Sequence, residues 1–236
     1  GIFQIMQKHA YLIMSHNDFY ILEKLLRLLD DRRNDIYVHI DKKVKNFDFK
    51  YFKKICKHSE VKFIKRIKVY WGGYSQVQCE LNLLEEAIKN NYEYYHLLSG
   101  VDLPLKNQDN IHIFFKQNNG KEFIRFSQNK WDYDRVAKIN LLSDYNKTNN
   151  KFKLYMYISI NKFISKLINR RNYDYTEKFP KYKFMKGDNW FSITNECAHY
   201  ICQNKHNIRK MFKYAIGADE HFIHTIVYNS KFKEKI

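Results

Sequence analysis

The sequence lacks the features that mark several common protein classes. It has only two prolines and seven glycines in 236 residues, and it shows no internal repeat, linker or low-complexity segment. No apolar stretch is long enough to span a bilayer, and residues 10–14 are too few for the core of a signal peptide. The four cysteines show no CxxC spacing, so we expect reduced thiols rather than a zinc site. We therefore expect one folded domain in the cytosol.

Motifs for several ligand classes are also missing. The chain contains neither GxxxxGK[ST] nor a strand-linked GxGxxG, which weighs against kinases, GTPases and dehydrogenases. His221 and His224 are three positions apart and do not form HExxH, so we expect solvated or helix-packing histidines rather than zinc ligands. No helix-turn-helix, RNA-recognition or finger motif is present, and we expect no nucleic-acid partner.

Positive charge and aromatic side chains are abundant. The chain carries 42 Lys and Arg against 25 Asp and Glu, a net charge of +17. Such a field attracts phosphates, anionic lipid or nucleic acid. A hydrophobic content of 44% is enough for the core of a single domain. The frequent Lys, Asn, Ile and Tyr are typical of an AT-rich genome, which suggests a bacterial source.

Short apolar runs alternate with helical patterns along the chain. Strands are predicted at residues 10–14, 36–40, 61–64, 94–98, 123–126 and 190–193, and helices at 19–29, 76–89, 111–115, 155–168 and 196–203. This alternation predicts an α/β fold with a mostly parallel central sheet flanked by helices. Residues 129–183 are predicted to be an insertion or lid over that sheet. The expected domain is 6–236, with residues 1–5 as an added leader before a natural start at Met6.

Two acidic residues follow predicted strands. Asp102 comes after a strand and the Ser99-Gly100 turn, and Pro104 prevents the strand from continuing. Open α/β sheets bind ligands beyond the carboxyl ends of their strands, so Asp102 is a candidate for the wall of a site. Asp41 closes another strand and is either a ligand contact or a turn former.

Two acidic clusters lie further along the chain. Asp132-Tyr133-Asp134 has the DxD spacing of some metal sites, but it lies in a polar, Lys-rich stretch and we expect no metal there. Glu220 lies where a loop meets the apolar run 222–227. A carboxylate at a helix N-terminus stays ionised, and in a cleft it could accept a proton from a hydroxyl. The alternative is an ordinary first-turn acid.

Six segments of the chain carry a joint resemblance. In order they read AYLIMSHNDFYILEKLLRLLD, IYVHIDKK, VYWGGYSQVQCELNLL, YYHLLSGVDLPL, MKGDNWFSIT and GADEHFIHTI. Together they resemble the core-2/I-branching β-1,6-N-acetylglucosaminyltransferase family, glycosyltransferase family fourteen, and especially its bacterial members. The resemblance extends across nearly all of residues 10–227.

The resemblance implies a GT-A-type nucleotide-binding domain and an inverting transfer from a UDP-sugar, with no metal or other cofactor. It implies that Glu220 is the base that deprotonates the acceptor hydroxyl, and that Asp41 contacts the uracil. The nucleotide-side residues that it implies are Ser15, His16, Asp41, Tyr70 and Ser75. The residues that it implies for the donor and acceptor cleft are Asp102, Gly187 and Trp190.

One departure from the family pattern concerns the diphosphate. Members of the family neutralise it with an Arg and a Lys near the C-terminus, in place of a metal. Because this sequence ends at Ile236, before that pair, we expect either a further C-terminal segment or substitution by Arg135 and Lys138. We favour the further segment.

The expected function is transfer of β-linked N-acetylglucosamine from UDP-N-acetylglucosamine to a glycan or lipid-linked glycan of a bacterial surface polysaccharide. Transfer of xylose or another hexose is the alternative within the family. A non-enzymatic basic protein that binds nucleic acid or a membrane surface is the alternative from another class. The expected location is cytoplasmic, and peripheral contact with the inner face of the membrane stays open.

Overall fold

A six-stranded sheet forms the centre of the protein. The structure is a computed structural model that describes residues 7–168 and 173–236. The strands are β1 (His9–Ser15), β2 (Asn34–Ile40), β3 (Glu60–Phe63), β4 (Tyr94–Ser99), β5 (Phe123–Phe126) and β6 (Gly187–Thr194), in the order β3-β2-β1-β4-β6-β5. Neighbours are parallel from β3 to β4, whereas β6 runs antiparallel to both β4 and β5. The fold is therefore α/β with a mostly parallel sheet, as predicted, and it is consistent with a GT-A-type domain.

Helices cover both faces of this sheet. They are α1 (Phe19–Leu29), α2 (Phe49–Lys53), α3 (Tyr74–Ala87), α4 (Gln108–Gln117), α5 (Asp134–Ala137), α6 (Lys151–Ile168), α7 (Asn195–Gln203), α8 (Lys205–Phe212) and α9 (Phe222–Tyr228). Short 3₁₀ turns occupy Ser143–Tyr145, Tyr175–Lys178, Ala218–Glu220 and Lys231–Lys235. In the described part of the chain, none of the helices is long and apolar enough to cross a membrane.

The central strand β1 shows why both faces need cover. Its side chains alternate between two cores: Ala10 and Leu12 pack with α3 and the C-terminal helices, and Tyr11 and Ile13 pack with α1. Side chains of a strand point alternately to opposite faces, so an apolar residue at every position requires helices on both sides. This is the reason that a continuous apolar run, rather than an alternating one, predicted this strand correctly.

The structure corrects the predicted elements in detail. The short helix predicted at 111–115 is α4, which has ten residues. Three helices were not predicted: α2 and α5, which have only five and four residues, and α8, whose high charge masks its apolar side. Residues 129–183 contain α5, two 3₁₀ turns and α6 but no strand among the positions that the structure describes. Their role as a lid stays a prediction. The four cysteines are free, and Cys79, Cys197 and Cys202 are buried.

Candidate active site

A cavity of about 770 Å³ lies at the carboxyl edge of the parallel strands. Its walls are the end of β5, the start of β6 and the 3₁₀ turn Ala218–Glu220, together with Trp71 and Gln76. Because β6 is antiparallel to β4, the start of β6 lies beside the end of β4. This is the edge at which open α/β sheets bind their ligands. The position therefore favours a ligand site.

The Glu220 carboxylate lines this cavity and contacts two cations. Its Oε2 accepts a hydrogen bond of 2.7 Å from Nη1 of Arg135, and Nζ of Lys186 lies 3.2 Å from the same oxygen. Partial burial raises the pKa of Glu220, but the hydrogen bonds from Lys186 and Arg135 outweigh it and hold that pKa below its ordinary value. Glu220 is thus a carboxylate that stays ionised at the wall of a cavity.

Arg135 reaches Glu220 from a distant part of the chain because two loops are joined by backbone hydrogen bonds. The Ile216 N–H donates to the carbonyl of Arg135 at 2.9 Å, and the next N–H, that of Gly217, donates to Gly72 at 2.8 Å. Gly217 has a φ of 64°, which is open to glycine at no steric cost, and it begins the turn that carries Glu220. The three segments are therefore held together at this corner.

Two further carboxyl groups lie near Glu220. Asp219 lines the same cavity but is buried, and burial together with the negative charge of Glu220 raises its pKa to about 6. Glu80 of α3 is fully buried, and burial together with the charge of Asp219 raises its pKa well above the ordinary value. Glu80 therefore favours its neutral form and Asp219 is protonated more readily than an ordinary Asp, in contrast to Glu220.

Aromatic side chains stand at the rim of the cavity. Trp71 is 67% exposed and Trp190 is 45% exposed, and both line the cavity. Trp71 also lies under a cation, because Nζ of Lys147 is 3.2 Å from the centre of its ring. Large exposed indole faces at a polar cavity are suited to stacking on a sugar or a base.

Gly187 starts β6 and also lines the cavity. A Cβ at this position would overlap the carbonyl oxygen of Arg125 and the ring of His224. The wall of the cavity therefore depends on glycine at this position, which the sequence resemblance had assigned to the cleft.

The predicted nucleotide-side residues lie together at the ends of β1 and β2. The N–H of Asp41 donates to the carbonyl of Ser15 at 2.9 Å, so the two strand ends are joined. The buried Asp41 carboxylate accepts hydrogen bonds from the Lys43 N–H at 2.7 Å and from Nζ of Lys43 at 2.6 Å. That Nζ also lies 4.6 Å from the centre of the Tyr70 ring. His16 follows β1 and is exposed.

Ser75 has a structural role at the start of α3. Its hydroxyl donates to Oδ1 of Asp144 at 2.8 Å, its N–H approaches the same oxygen at 3.2 Å, and its oxygen accepts the N–H of Tyr70 at 2.8 Å. Ser75 thereby connects Tyr70 to the 3₁₀ turn Ser143–Tyr145. The loop that carries Tyr70 and the predicted insertion are therefore in direct contact.

Three predicted substrate residues, Asp102, Arg135 and Lys138, are not part of the cavity lining, although Arg135 contacts Glu220. Oδ2 of Asp102 accepts the N–H of Ser99 at 2.7 Å and so closes the turn after β4. Lys138 pairs with Asp134 on the surface, one helical turn away. The structure therefore brings Arg135, and not Lys138, to Glu220. The second cation at that position is Lys186.

The remaining acids and histidines form no metal site in the described ranges, 7–168 and 173–236. Asp132 accepts the N–H of Asp134 at 3.1 Å, which is a turn contact. His221 and His224 are fully buried, as expected for packing residues, and burial lowers the pKa of each to about 4. In the described ranges, Asp132, Asp134, His221 and His224 therefore make turn, ion-pair or packing contacts and do not form a metal site.

The model of the Core-2/I-branching enzyme family matches residues 9–236. The chain belongs to this family. Beta-1,3-galactosyl-O-glycosyl-glycoprotein beta-1,6-N-acetylglucosaminyltransferase 3 of Bos taurus is 27% identical over 134 residues, which cover 52% of this chain and 30% of the relative. N-acetyllactosaminide beta-1,6-N-acetylglucosaminyl-transferase of Homo sapiens is 29% identical over 116 residues, which cover 48% of this chain and 29% of the relative. The matched segments thus span less than a third of these relatives.

Three residues of this Core-2/I-branching domain were not identified from the sequence. Lys186 lies within the segment MKGDNWFSIT but carried no signal of its own. Lys43 lies two residues after Asp41, and this closeness was a usable signal for an ion pair. Glu80 lies three residues after Val77 and four before Leu84, on the apolar face of α3. An acidic residue on the apolar face of a helix was the signal by which Glu80 could have been identified.

Proposed function

We propose that this chain is a glycosyltransferase that moves a sugar from a UDP-sugar to a glycan hydroxyl, with Glu220 as the base. One observation carries the proposal: an ionised Glu220, paired with Arg135 and Lys186, lines a cavity in a Core-2/I-branching domain. The relatives named above are β-1,6-N-acetylglucosaminyltransferases. We therefore propose β-linked N-acetylglucosamine as the transferred sugar.

The proposed reaction has one step. The Glu220 carboxylate accepts the proton of the acceptor hydroxyl while the hydroxyl oxygen attacks the anomeric carbon. The bond from that carbon to the diphosphate oxygen breaks, and its electron pair leaves with UDP. Attack from the face opposite UDP inverts the configuration at the anomeric carbon. Both cations contact Oε2, so we assign the acceptor proton to Oε1.

Arg135 and Lys186 have one role in this proposal, which is to hold Glu220 ionised. UDP leaves from the opposite face of the sugar, so we propose that other basic side chains offset the negative charge that develops on the diphosphate. Charge-assisted contacts of that kind supply the stabilisation that a metal ion gives elsewhere, so we propose transfer without a metal. Undiminished activity in excess EDTA is the expected result. Loss of activity there would make Asp132 and Asp134 the residues to examine.

The Glu220→Gln variant tests the base. We expect transfer to fall by about 100-fold or more, because only the proton acceptor is lost, while calorimetry shows UDP binding close to that of the wild type. Glu196→Gln is the matched control: Glu196 also pairs with two lysines, Lys231 and Lys235, but it lies at the opposite edge of the sheet. Normal transfer by Glu220→Gln would exclude this residue as the base.

The donor and the setting are further parts of the proposal. UDP release measured with a panel of UDP-sugars distinguishes N-acetylglucosamine from xylose or another hexose. Salt-sensitive binding to DNA with no UDP binding would favour the non-enzymatic alternative.

For the acceptor we propose a glycan or lipid-linked glycan of a bacterial surface polysaccharide, at the cytoplasmic face of the membrane. The Lys- and Asn-rich composition supports a bacterial source.

A further inference from the structure

Helix α6 presents an apolar face to solvent. Five of its large apolar side chains are between 52% and 70% exposed. They are Phe152, Tyr155, Ile158, Phe163 and Leu167. None of the 18 residues of α6, all of which the structure describes, is buried. A surface helix normally turns its apolar stripe to the core, and a contiguous exposed one marks an interaction site.

The outward direction of this face is fixed by contacts on the other side of the helix. The Asn161 amide donates to the carbonyl of Leu141 at 2.9 Å and accepts the Leu141 N–H at 2.8 Å. At about 100° per residue, Phe152, Phe163 and Leu167 fall within an arc of about 60°, centred well away from Asn161. The apolar stripe therefore points away from the body of the protein.

The charge of α6 is entirely positive. Its lysines are Lys151, Lys153, Lys162 and Lys166, and the segment 151–168 contains no Asp or Glu. An apolar stripe beside lysines is the pattern of a helix that lies in the interface of a bilayer with anionic lipid. Lysine stems can cover apolar surface while their ammonium groups reach the phosphates.

We propose that α6 docks this protein on an anionic membrane surface, with the helix axis parallel to that surface and Phe152, Phe163 and Leu167 inserted below the headgroups. Charge complementarity is the reason for choosing lipid as the occupant. A second copy of the chain would bring its own all-positive helix against this one, and like charges at such an interface are unfavourable. An anionic leaflet instead attracts the four lysines of α6 and the net charge of +17.

The docking helix is connected to the candidate active site by a short segment. The 3₁₀ turn Ser143–Tyr145 packs against α6 and places Asp144 on Ser75. Between this turn and α6, Lys147 covers the ring of Trp71 at the rim of the cavity. Docking through α6 would therefore hold the cavity near the lipid surface. An amphiphilic, lipid-linked acceptor fits this arrangement. The inference about the acceptor rests on the proposed function, whereas the inference of membrane docking does not.

Sedimentation with phosphatidylcholine vesicles, with and without phosphatidylglycerol, tests the docking. We expect the wild type to bind the anionic vesicles, less so at high salt, and the triple variant Phe152→Gln, Phe163→Gln, Leu167→Gln to bind about tenfold more weakly or worse. The matched control is Tyr20→Gln with Leu28→Gln, which removes two exposed apolar side chains from α1 and should bind as the wild type does.

Calorimetric UDP binding and a thermal melt accompany each variant. Retained UDP binding with lost vesicle binding supports the docking and shows that the triple variant is folded. If the triple variant misfolds, Lys162→Gln with Lys166→Gln replaces it, and we expect weaker binding to anionic vesicles only. Two results would overturn the docking. One is equal vesicle binding by all variants. The other is a dimer that forms in the absence of lipid and dissociates when α6 is substituted. Vesicle binding without UDP binding by the wild type would leave the docking intact and overturn the proposed function.

Discussion

A cluster of three histidines at the amino edge of the sheet gives a quantitative prediction about acid stability. Nε2 of His96 lies 3.0 Å from Nδ1 of His9, and Nδ1 of His96 lies 2.7 Å from the hydroxyl of Ser192. The His112 ring is 4.1 Å from that of His9, centre to centre. Burial, with the neighbouring histidines, lowers the pKa of His9 to about 2 and that of His96 to about 3, and burial with the charge of Arg33 lowers the pKa of His112 to about 4. All three are therefore neutral in the native state near pH 5.

The magnitude follows from proton linkage. A histidine of the unfolded chain has a pKa of about 6.5, so near pH 5 it is protonated in the unfolded state and neutral in the native state. Stability is complete above the unfolded pKa and is lost as the pH falls toward the native pKa. One such histidine costs about 2 kcal/mol near pH 5, from about 1.4 kcal/mol per pH unit over about 1.5 units.

Urea unfolding of the wild type and His96→Gln at pH 7.5 and pH 5 measures this cost. We expect the variant to lose about 2 kcal/mol less stability over that interval, because glutamine does not titrate. The unfolding free energies of each protein at the two pH values are compared with each other, so the packing cost of the substitution cancels. Glu80 and Asp219, whose pKa values are raised, act in the opposite sense, so the wild-type slope alone is not diagnostic. Equal losses in the variant and the wild type would refute the argument.

Three further predictions concern the cavity. Gly187→Ala should lower the melting temperature and abolish UDP-dependent transfer, because its Cβ would overlap the Arg125 carbonyl; an unchanged melt would contradict the close approach. Glu80→Gln should stabilise the protein at pH 8 and much less at pH 5 in urea titrations, because the raised pKa of Glu80 makes the unfolded state release a proton that the native state retains. Lys186→Met should move the acid limb of the kcat/KM profile to higher pH, because the pKa of Glu220 rises when a cation is removed. A profile that does not move would show that Lys186 is not coupled to the base.

The sequence predicted the elements whose local pattern is strong and missed those that depend on distant contacts. The strand that became β1 was identifiable because residues 10–14 are all apolar, and β6 because residues 190–193 form another short, mostly apolar run. Lys186 could not be assigned to Glu220 from the sequence, since the contact joins the start of β6 to a turn 34 positions later. The pairing of Arg135 with the same carboxylate needs the Ile216 and Gly217 backbone bonds, which no local pattern encodes.

The predicted role of Asp102 illustrates a different limit. Its position after a strand and a Ser-Gly turn is typical both of a ligand contact and of a residue that closes the turn. The structure shows the second, because Oδ2 of Asp102 accepts the Ser99 N–H. A role toward a ligand stays a prediction, since a carboxylate has more than one acceptor position to offer. Motif position alone does not separate these two uses.

The three carboxyl groups at the corner of the cavity explain why only one of them is suited to be the base. Glu220 contacts Arg135 and Lys186, and these hydrogen bonds hold its pKa down despite partial burial. Burial and the negative charge of Glu220 together raise the pKa of Asp219. Burial and the charge of Asp219 together raise the pKa of Glu80. Environments that push neighbouring pKa values apart separate the ionised group from the neutral ones. Of the two carboxyl groups that line the cavity, Glu220 is the more exposed and the one whose ionised form is stabilised, whereas the buried Asp219 and Glu80 have raised pKa values.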